Sequence, residues 1–215
     1  MSSHQNKNPK ISVASVEHHS PLSPPDISIQ GQECTQLEGQ RSDHKQLDHG
    51  QHQPGGKRFP LCLLVHDIRV PANVGSLFRL ADALGIEQLW LTGDTAVPPD
   101  NKLRKTARST EKYVAYEVVE EPEPILKMLQ KKGYRIVSLE LTNNSTPLNE
   151  FCISCEERIC LVVGSENYGV NPSLLSLSDT VVHIPMQGVN SSMNLATACA
   201  IVCYTFVQQL QETQS

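Results

Sequence analysis

Apolar positions are unevenly spread along this chain. Up to about residue 58 it consists of Ser, Gln, His, Pro and Gly with scattered charges, and no apolar run there has a period of 2 or 3.6. Such a stretch buries too little apolar surface to offset the entropy of ordering it. Residues 1–58 are therefore read as a disordered polar tail, and residues 59–215 as one folded domain. Beyond the tail the pattern becomes regular. Residues 61–65 form a short apolar run, the mark of a buried strand. Val74, Leu77, Phe78, Ala81 and Leu84 recur at helical spacing, which predicts a helix over 74–84 with Asn73 as its N-cap and Gly85 as its stop. Strands are predicted at 88–91 and 113–119, a helix at 124–132 ending at Gly133, and strands at 134–139, 159–163 and 180–184. A long final helix is predicted to open at Ser191 or Ser192 and to reach about residue 210.

Strands that alternate with helices indicate an α/β domain with a mostly parallel sheet and helices on both faces. The last helix is apolar nearly all round, from Leu195 through Ala198, Ile201 and Tyr204 to Val207. A helix of that kind is buried, and a small domain can hardly cover every face of it. A subunit interface, and hence a homodimer, follows as an expectation. No internal repeat is visible.

Charge refines this picture. The 215 residues carry a formal net charge of -5 at pH 7. The tail is balanced, with six basic and six acidic residues, so the imbalance lies in the domain. That argues against a uniformly basic nucleic-acid binder. A local basic patch exists all the same: Lys102, Arg104, Lys105, Arg108 and Lys112 fall close together, opposed only by Glu111. It reads either as an RNA-binding surface or as an ordinary solvated helix face. The tail lacks the apolar stretch of a signal peptide, and no run approaches the ~18 apolar residues that span a bilayer. With seven cysteines, an odd number, the expectation is a cytoplasmic protein with free thiols and no membrane partner. Six of the eight histidines, His4, His18, His19, His44, His49 and His52, lie irregularly in the tail without a cysteine pair, so no metal is expected. Cys152 and Cys155 form a lone C-x-x-C, read as two ordinary thiols. Cys199 and Cys203 lie one helical turn apart and read as packing residues. His66 and His183 flank strand ends and read as structural.

Open parallel sheets bind ligands outside the carboxyl ends of their strands. After the strand at 61–65 come Pro71, Ala72, Asn73, Val74, Gly75 and then Arg79. After 134–139 come Glu140, Leu141, Thr142 and Asn143. After 159–163 comes GSENYG, and after 180–184 come PMQG and NSSMN. These loops are small, polar and glycine-bearing, as suits a site that grips a ligand through backbone groups. The dinucleotide fingerprint G-x-G-x-x-G, the phosphate loop G-x-x-x-x-G-K-[ST] and the nucleophile elbow G-x-S-x-G are all missing. That disfavours a Rossmann dehydrogenase, a P-loop NTPase and an α/β-hydrolase.

Three segments, PANVGSLFRLADALG (71–85), LVVGSENYGV (161–170) and IPMQGVNSSMNLATACAIVCY (184–204), resemble in order and spacing the motifs of the SpoU (TrmH-like) RNA 2'-O-ribose methyltransferases of the SPOUT superfamily. The resemblance covers roughly residues 60–210. It implies an α/β fold with a C-terminal trefoil knot, S-adenosylmethionine as cofactor, a homodimer, and RNA as substrate, with tRNA favoured over rRNA. Residue by residue, Asn73 and Arg79 match the polar pair of the first motif, Glu166 the acidic residue of the second, and Ser192 and Asn194 the Ser-x-Asn of the third. Met193 stands where the family usually has Leu, a swap of similar volume. Leu141, Gly164, Ile184, Met186 and Met193 are the expected cofactor contacts. The rival readings are a knotted methyltransferase acting on a base and a catalytically silent RNA-binding dimer. The Asn73, Arg79, Glu166, Ser192 and Asn194 set favours ribose, and a silent binder is expected to have lost Arg79 or Asn194. Methyl transfer needs alignment more than covalent help. A guanidinium is not a free base, so Arg79 is given an electrostatic role, holding a phosphate and favouring the developing alkoxide.

Overall fold

Strand β1 (Phe59–His66) runs through the middle of the domain, apolar on both faces. The computed structural model describes residues 55–211. In chain order β1 is followed by α1 (Pro71–Leu84), β2 (Ile86–Thr92), α2 (Asn101–Ala107), β3 (Tyr116–Val119), α3 (Pro122–Lys131), β4 (Tyr134–Leu139), β5 (Thr146–Pro147), β6 (Arg158–Val163), α4 (Pro172–Ser176), β7 (Thr180–His183) and α5 (Leu195–Gln211). The sheet order is β3-β2-β1-β6-β4-β7-β5, and every strand pair is parallel. All carboxyl ends therefore open on one edge, which is where the polar loops were expected to converge.

Side chains alternate across the pleat, and β1 divides its residues accordingly. Leu61, Leu63 and Val65 join Leu77, Phe78 and Ala81 of α1 and Val202 and Phe206 of α5 in one apolar cluster. Cys62 and Leu64 join Leu126 and Leu129 of α3 and Leu174 of α4 in another. Helices thus cover both faces of the sheet, as the alternating pattern implied.

The local differences from the sequence reading have identifiable causes. Pro71 occupies the start of α1 with its fixed φ, and the cap position falls on Val70, which makes no side-chain cap. Asn73 is therefore not the N-cap; it lies in the first turn, free to use its side chain elsewhere. Gly85 does stop the helix, in the left-handed conformation at φ 66°. Tyr113 ends a short 3-10 turn over Thr110–Lys112, so β3 begins three residues later than expected. Pro122 opens α3 two residues before the predicted start. Helix α5 begins at Leu195, not at Ser191 or Ser192, because Asn194 caps it: the Thr197 N–H donates to Asn194 Oδ1 at 3.2 Å. Helices α2 and α4 and the two-residue β5 were not anticipated. The tail reading over 1–58, with its six histidines, lies outside the described residues except for 55–58. Within those four, Arg58 belongs to the domain, donating to the carbonyls of Ile86 and Tyr113.

Helix α2 crosses α1 closely, and Gly75 makes that approach possible. A Cβ at Gly75 would lie 2.5 Å from the Leu103 carbonyl oxygen and 2.9 Å from Thr106 Cβ. The crossing sets Leu103, Thr106 and Ala107 of α2 against Gly75, two residues from Asn73, and leaves Lys102, Arg104 and Lys105 exposed. Gly75→Val is expected to cost about 2 kcal/mol through overpacking, a fall of about 4–8 °C in thermal midpoint for a domain of this size. Circular-dichroism melting checks this; a shift under about 2 °C would show that the two helices separate freely.

Candidate functional site

A cavity of about 530 Å3 opens at the carboxyl edge of the sheet. Its volume lies within the range of small-molecule sites. Leu139, Glu140 and Leu141 line it from the end of β4, Gly164, Ser165, Glu166, Asn167 and Gly169 from the loop after β6, and His183, Ile184 and Met186 from the end of β7. Ser191, Ser192, Met193 and Asn194 close it at the entrance to α5. All five expected cofactor contacts, Leu141, Gly164, Ile184, Met186 and Met193, stand in this one wall.

The loop after β6 is a tight turn. The Gly169 N–H donates to the Ser165 carbonyl at 2.9 Å. Gly164 is buried, and a Cβ there would collide with the Gly169 carbonyl and lie 2.5 Å from Val170 Cα. The sequence reading assigned Gly164 to the close approach of a ligand. The structure gives it a prior task, the closing of the chain's own turn.

Asn73, Glu166 and Asn194, drawn from the three motifs, meet at the rim. Asn73 Nδ2 donates to Glu166 Oε1 at 2.8 Å, and Asn194 Nδ2 donates to Asn73 Oδ1 at 3.1 Å. The displacement of Asn73 from the cap into the first turn of α1 is what allows this chain of bonds. Ser192 lies on the same rim, exposed.

Arg79 is not brought to the cavity. It is exposed on α1 and makes no ion pair among the described residues. Lys102, Arg104 and Lys105 are exposed on α2, Arg108 is its left-handed C-cap, and Lys112 closes the following 3-10 turn. Glu111 lies 3.9 Å from Arg104, its carboxylate nearly buried, and the five cations otherwise face solvent.

Two residues of the wall were passed over in the sequence. His183 was read as structural; it lines the cavity, with Nδ1 3.0 Å from Ser145 Oγ. Glu140 was noted only as part of a loop. A carboxylate placed directly at the end of an apolar strand was the signal available for it. His66 is buried with Nδ1 3.0 Å from Thr92 Oγ1, away from this wall. Cys199 and Cys203 are buried with sulfurs 3.8 Å apart; their mutual contact and burial push the Cys203 thiol well up, so packing is their role. Cys152 and Cys155 are free thiols. Among the described residues no group of His, Cys, Asp or Glu could hold a metal ion, and no helix is long and apolar enough to cross a membrane.

Comparison with known proteins agrees with this geometry. The model of the SpoU rRNA Methylase family matches residues 60–204. The 23S rRNA (guanosine(2553)-2'-O)-methyltransferase RlmP of Bacillus subtilis is 31% identical over 143 residues, which cover 66% of this chain and 56% of that protein. The tRNA (guanosine(18)-2'-O)-methyltransferase of Aquifex aeolicus is 28% identical over 153 residues, 71% of each chain. The solved structure of the A. aeolicus TrmH/SpoU tRNA modifying enzyme superposes with a TM-score of 0.65 at 26% identity, covering 73% of this chain and 78% of that one. The SpoU methyltransferase AviRb from Streptomyces viridochromogenes, in complex with AdoMet, gives 0.64 at 25% identity, covering 73% and 62%. The match spans little more than half the length of two curated relatives, 56% of one and 58% of the other. The second and third motifs line one cavity, Asn73 of the first is bonded to both at its rim, and a family model runs from β1 into α5: this chain belongs to the SpoU rRNA Methylase family.

Proposed function

We propose that this protein is an S-adenosylmethionine-dependent RNA methyltransferase that modifies a ribose 2'-hydroxyl, with tRNA favoured over rRNA. The observation that carries the reading is the meeting of Asn73, Glu166 and Asn194 at the rim of the cavity. Nothing in packing requires three polar side chains from distant motifs to join at an exposed edge. The cavity has the volume and the backbone-rich wall for a nucleoside-bearing cofactor, and a neighbour of the same fold was solved with AdoMet.

The bound cofactor supplies an electrophilic methyl group. Leu141, Gly164, Ile184, Met186 and Met193 hold it, and the glycine-closed turn after β6 fixes the backbone at Gly164 before it arrives. Ser192, Asn194 and Asn73 orient the ribose, with Glu166 fixing Asn73. The five cations on α2 and its 3-10 turn hold the RNA backbone, close to α1 because of the Gly75 crossing. The trefoil threading implied by the resemblance belongs to the same proposal. β7 lies three strands from β1, yet α5 returns to pack with α1 and β1, and the linking residues run along the cavity rim.

The protein acts as a homodimer. On α5, whose buried face is formed by Cys199, Val202, Cys203, Phe206, Val207 and Leu210, the large apolar side chains Ile201 and Tyr204 remain 38% and 56% exposed. Arg79 is exposed on α1, which packs beside it. A symmetric dimer through these helices brings Arg79 of one copy to the cavity of the other, where it holds a substrate phosphate and favours the developing alkoxide.

Arg79→Ala is expected to leave S-adenosylmethionine affinity unchanged in calorimetry and to slow single-turnover methylation of a tRNA pool at least about a hundredfold. Arg79→Lys restores only part of the rate, since a point charge lacks the planar fork. Full activity in the alanine variant would remove Arg79 from the chemistry. If the site is shared between copies, co-expressed Arg79→Ala and Asn194→Ala chains form mixed dimers with one intact site. Their preparation recovers activity toward about a quarter of wild type when chains pair at random. No recovery would place both residues in one chain's site. Replacing Lys102, Lys105 and Lys112 by Glu is expected to weaken RNA binding at least about tenfold and to flatten its salt dependence, as read by filter binding. Cofactor affinity should stay as it was.

A further inference from the structure

We infer that Glu140 gives this cavity its preference for a positively charged cofactor over the neutral product, while fastening together the two loops that enclose it. The inference rests on the reading of the cavity as an S-adenosylmethionine site.

Glu140 stands at the carboxyl end of β4, its own N–H donating to the Val182 carbonyl of β7 at 3.0 Å. Its carboxylate reaches in two directions. Oε1 accepts from the Leu141 N–H at 2.9 Å, and Oε2 accepts from the Val170 N–H at 2.9 Å, at the far end of the turn after β6. Gly169 completes the fit. It takes φ 69°, and a Cβ there would run into the Glu140 carboxylate. The charge is therefore held in place by two backbone donors and a turn built around it. A charge fixed in advance costs no reorganisation when a ligand arrives.

The sign of the cavity follows from its wall. Glu140 and Glu166 are its acidic residues, and no Lys or Arg lines it. His183 is the remaining titratable side chain of the wall, engaged by Ser145. Glu166 is turned toward Asn73 at the rim, which leaves Glu140 as the charge set between the cofactor loops.

The ligand changes charge during the proposed reaction. The sulfur–methyl bond breaks with its electron pair staying on sulfur, the ribose oxygen bonds to the methyl carbon, and the hydroxyl proton passes to solvent. S-adenosylmethionine, with a sulfonium, an ammonium and a carboxylate, has net charge +1. S-adenosylhomocysteine is nearly the same shape and neutral. Backbone contacts and apolar walls treat the two alike, whereas a fixed carboxylate does not. Glu140 thus favours loading of the reactive cofactor and weakens the hold on the spent one.

The test is calorimetric titration of the full chain with S-adenosylmethionine, S-adenosylhomocysteine and sinefungin, whose amine replaces the sulfonium with another cation. Glu140→Gln is expected to weaken the two cationic ligands about fivefold more than the neutral one. A purely structural role would weaken all three equally, and that result, or no change at all, overturns the inference. Should Glu140→Gln not fold, Glu140→Asp, which keeps the charge, takes its place and is expected to keep the preference for the cationic ligands; a preference lost with the charge retained overturns the inference. The wild-type protein must also meet a necessary condition. Raising salt from about 20 mM to about 500 mM should weaken the cationic ligands at least about twofold relative to S-adenosylhomocysteine. Equal salt dependence overturns the inference. Failure of the wild type to bind any of the three overturns the cofactor reading itself. Binding of all three with a ratio indifferent to Glu140 and salt overturns only the role of Glu140.

Discussion

The central strands β1 and β6 are buried on both faces, and this constraint organises the molecule. Leu61 to Val65 and Ile159 to Val163 are almost wholly inaccessible. A polar side chain placed among them would lose its hydration without gaining partners. Chemistry is therefore expelled to the strand ends. Because every strand pair is parallel, the carboxyl ends share one edge, and polar loops far apart in sequence become neighbours. The cavity, the Asn73 to Asn194 chain of hydrogen bonds and the Glu140 bridge all lie along that edge.

Two regions of opposite charge follow from the same layout. The cavity wall is acidic, whereas α2 and its 3-10 turn present five cations beside α1. The proposed cationic cofactor and the proposed polyanionic substrate would thus each meet a surface of opposite sign. The net negative charge of the whole chain conceals this division, which is why composition argued only against a uniformly basic binder, while the local pattern left both an RNA-binding surface and a solvated helix face open.

Much of the fold was legible where an element is long enough to show its period. The apolar face of α1 and the runs of β1, β4 and β6 were read nearly to their ends. Short elements escaped. Helix α2 turns only Leu103 and Ala107 into the core, too few to show a period among its cations. Capping rules failed at both helix starts. Pro71 started α1 early and freed Asn73, while Asn194 rather than Ser191 or Ser192 capped α5. The second and third ordered motifs pointed to most of the cavity wall, while its β4 edge lies outside them. Glu140 was not, because its partner Val170 lies 30 residues away and only the fold brings them together. Arg79 was visible as a motif residue, but its place outside the cavity depends on which side of α1 faces solvent.

Asn194 uses both ends of one amide. Its oxygen caps α5, and its nitrogen donates to Asn73 on the rim. Asp could keep the cap but has no hydrogen to give, and Ser is too short to serve two partners that stand apart. The position therefore accepts an alphabet of one letter. Asn194 thereby ties the first turn of α5, the helix that exposes Ile201 and Tyr204, to Asn73 in the first turn of α1, so two helices from opposite ends of the domain's sequence share one side chain.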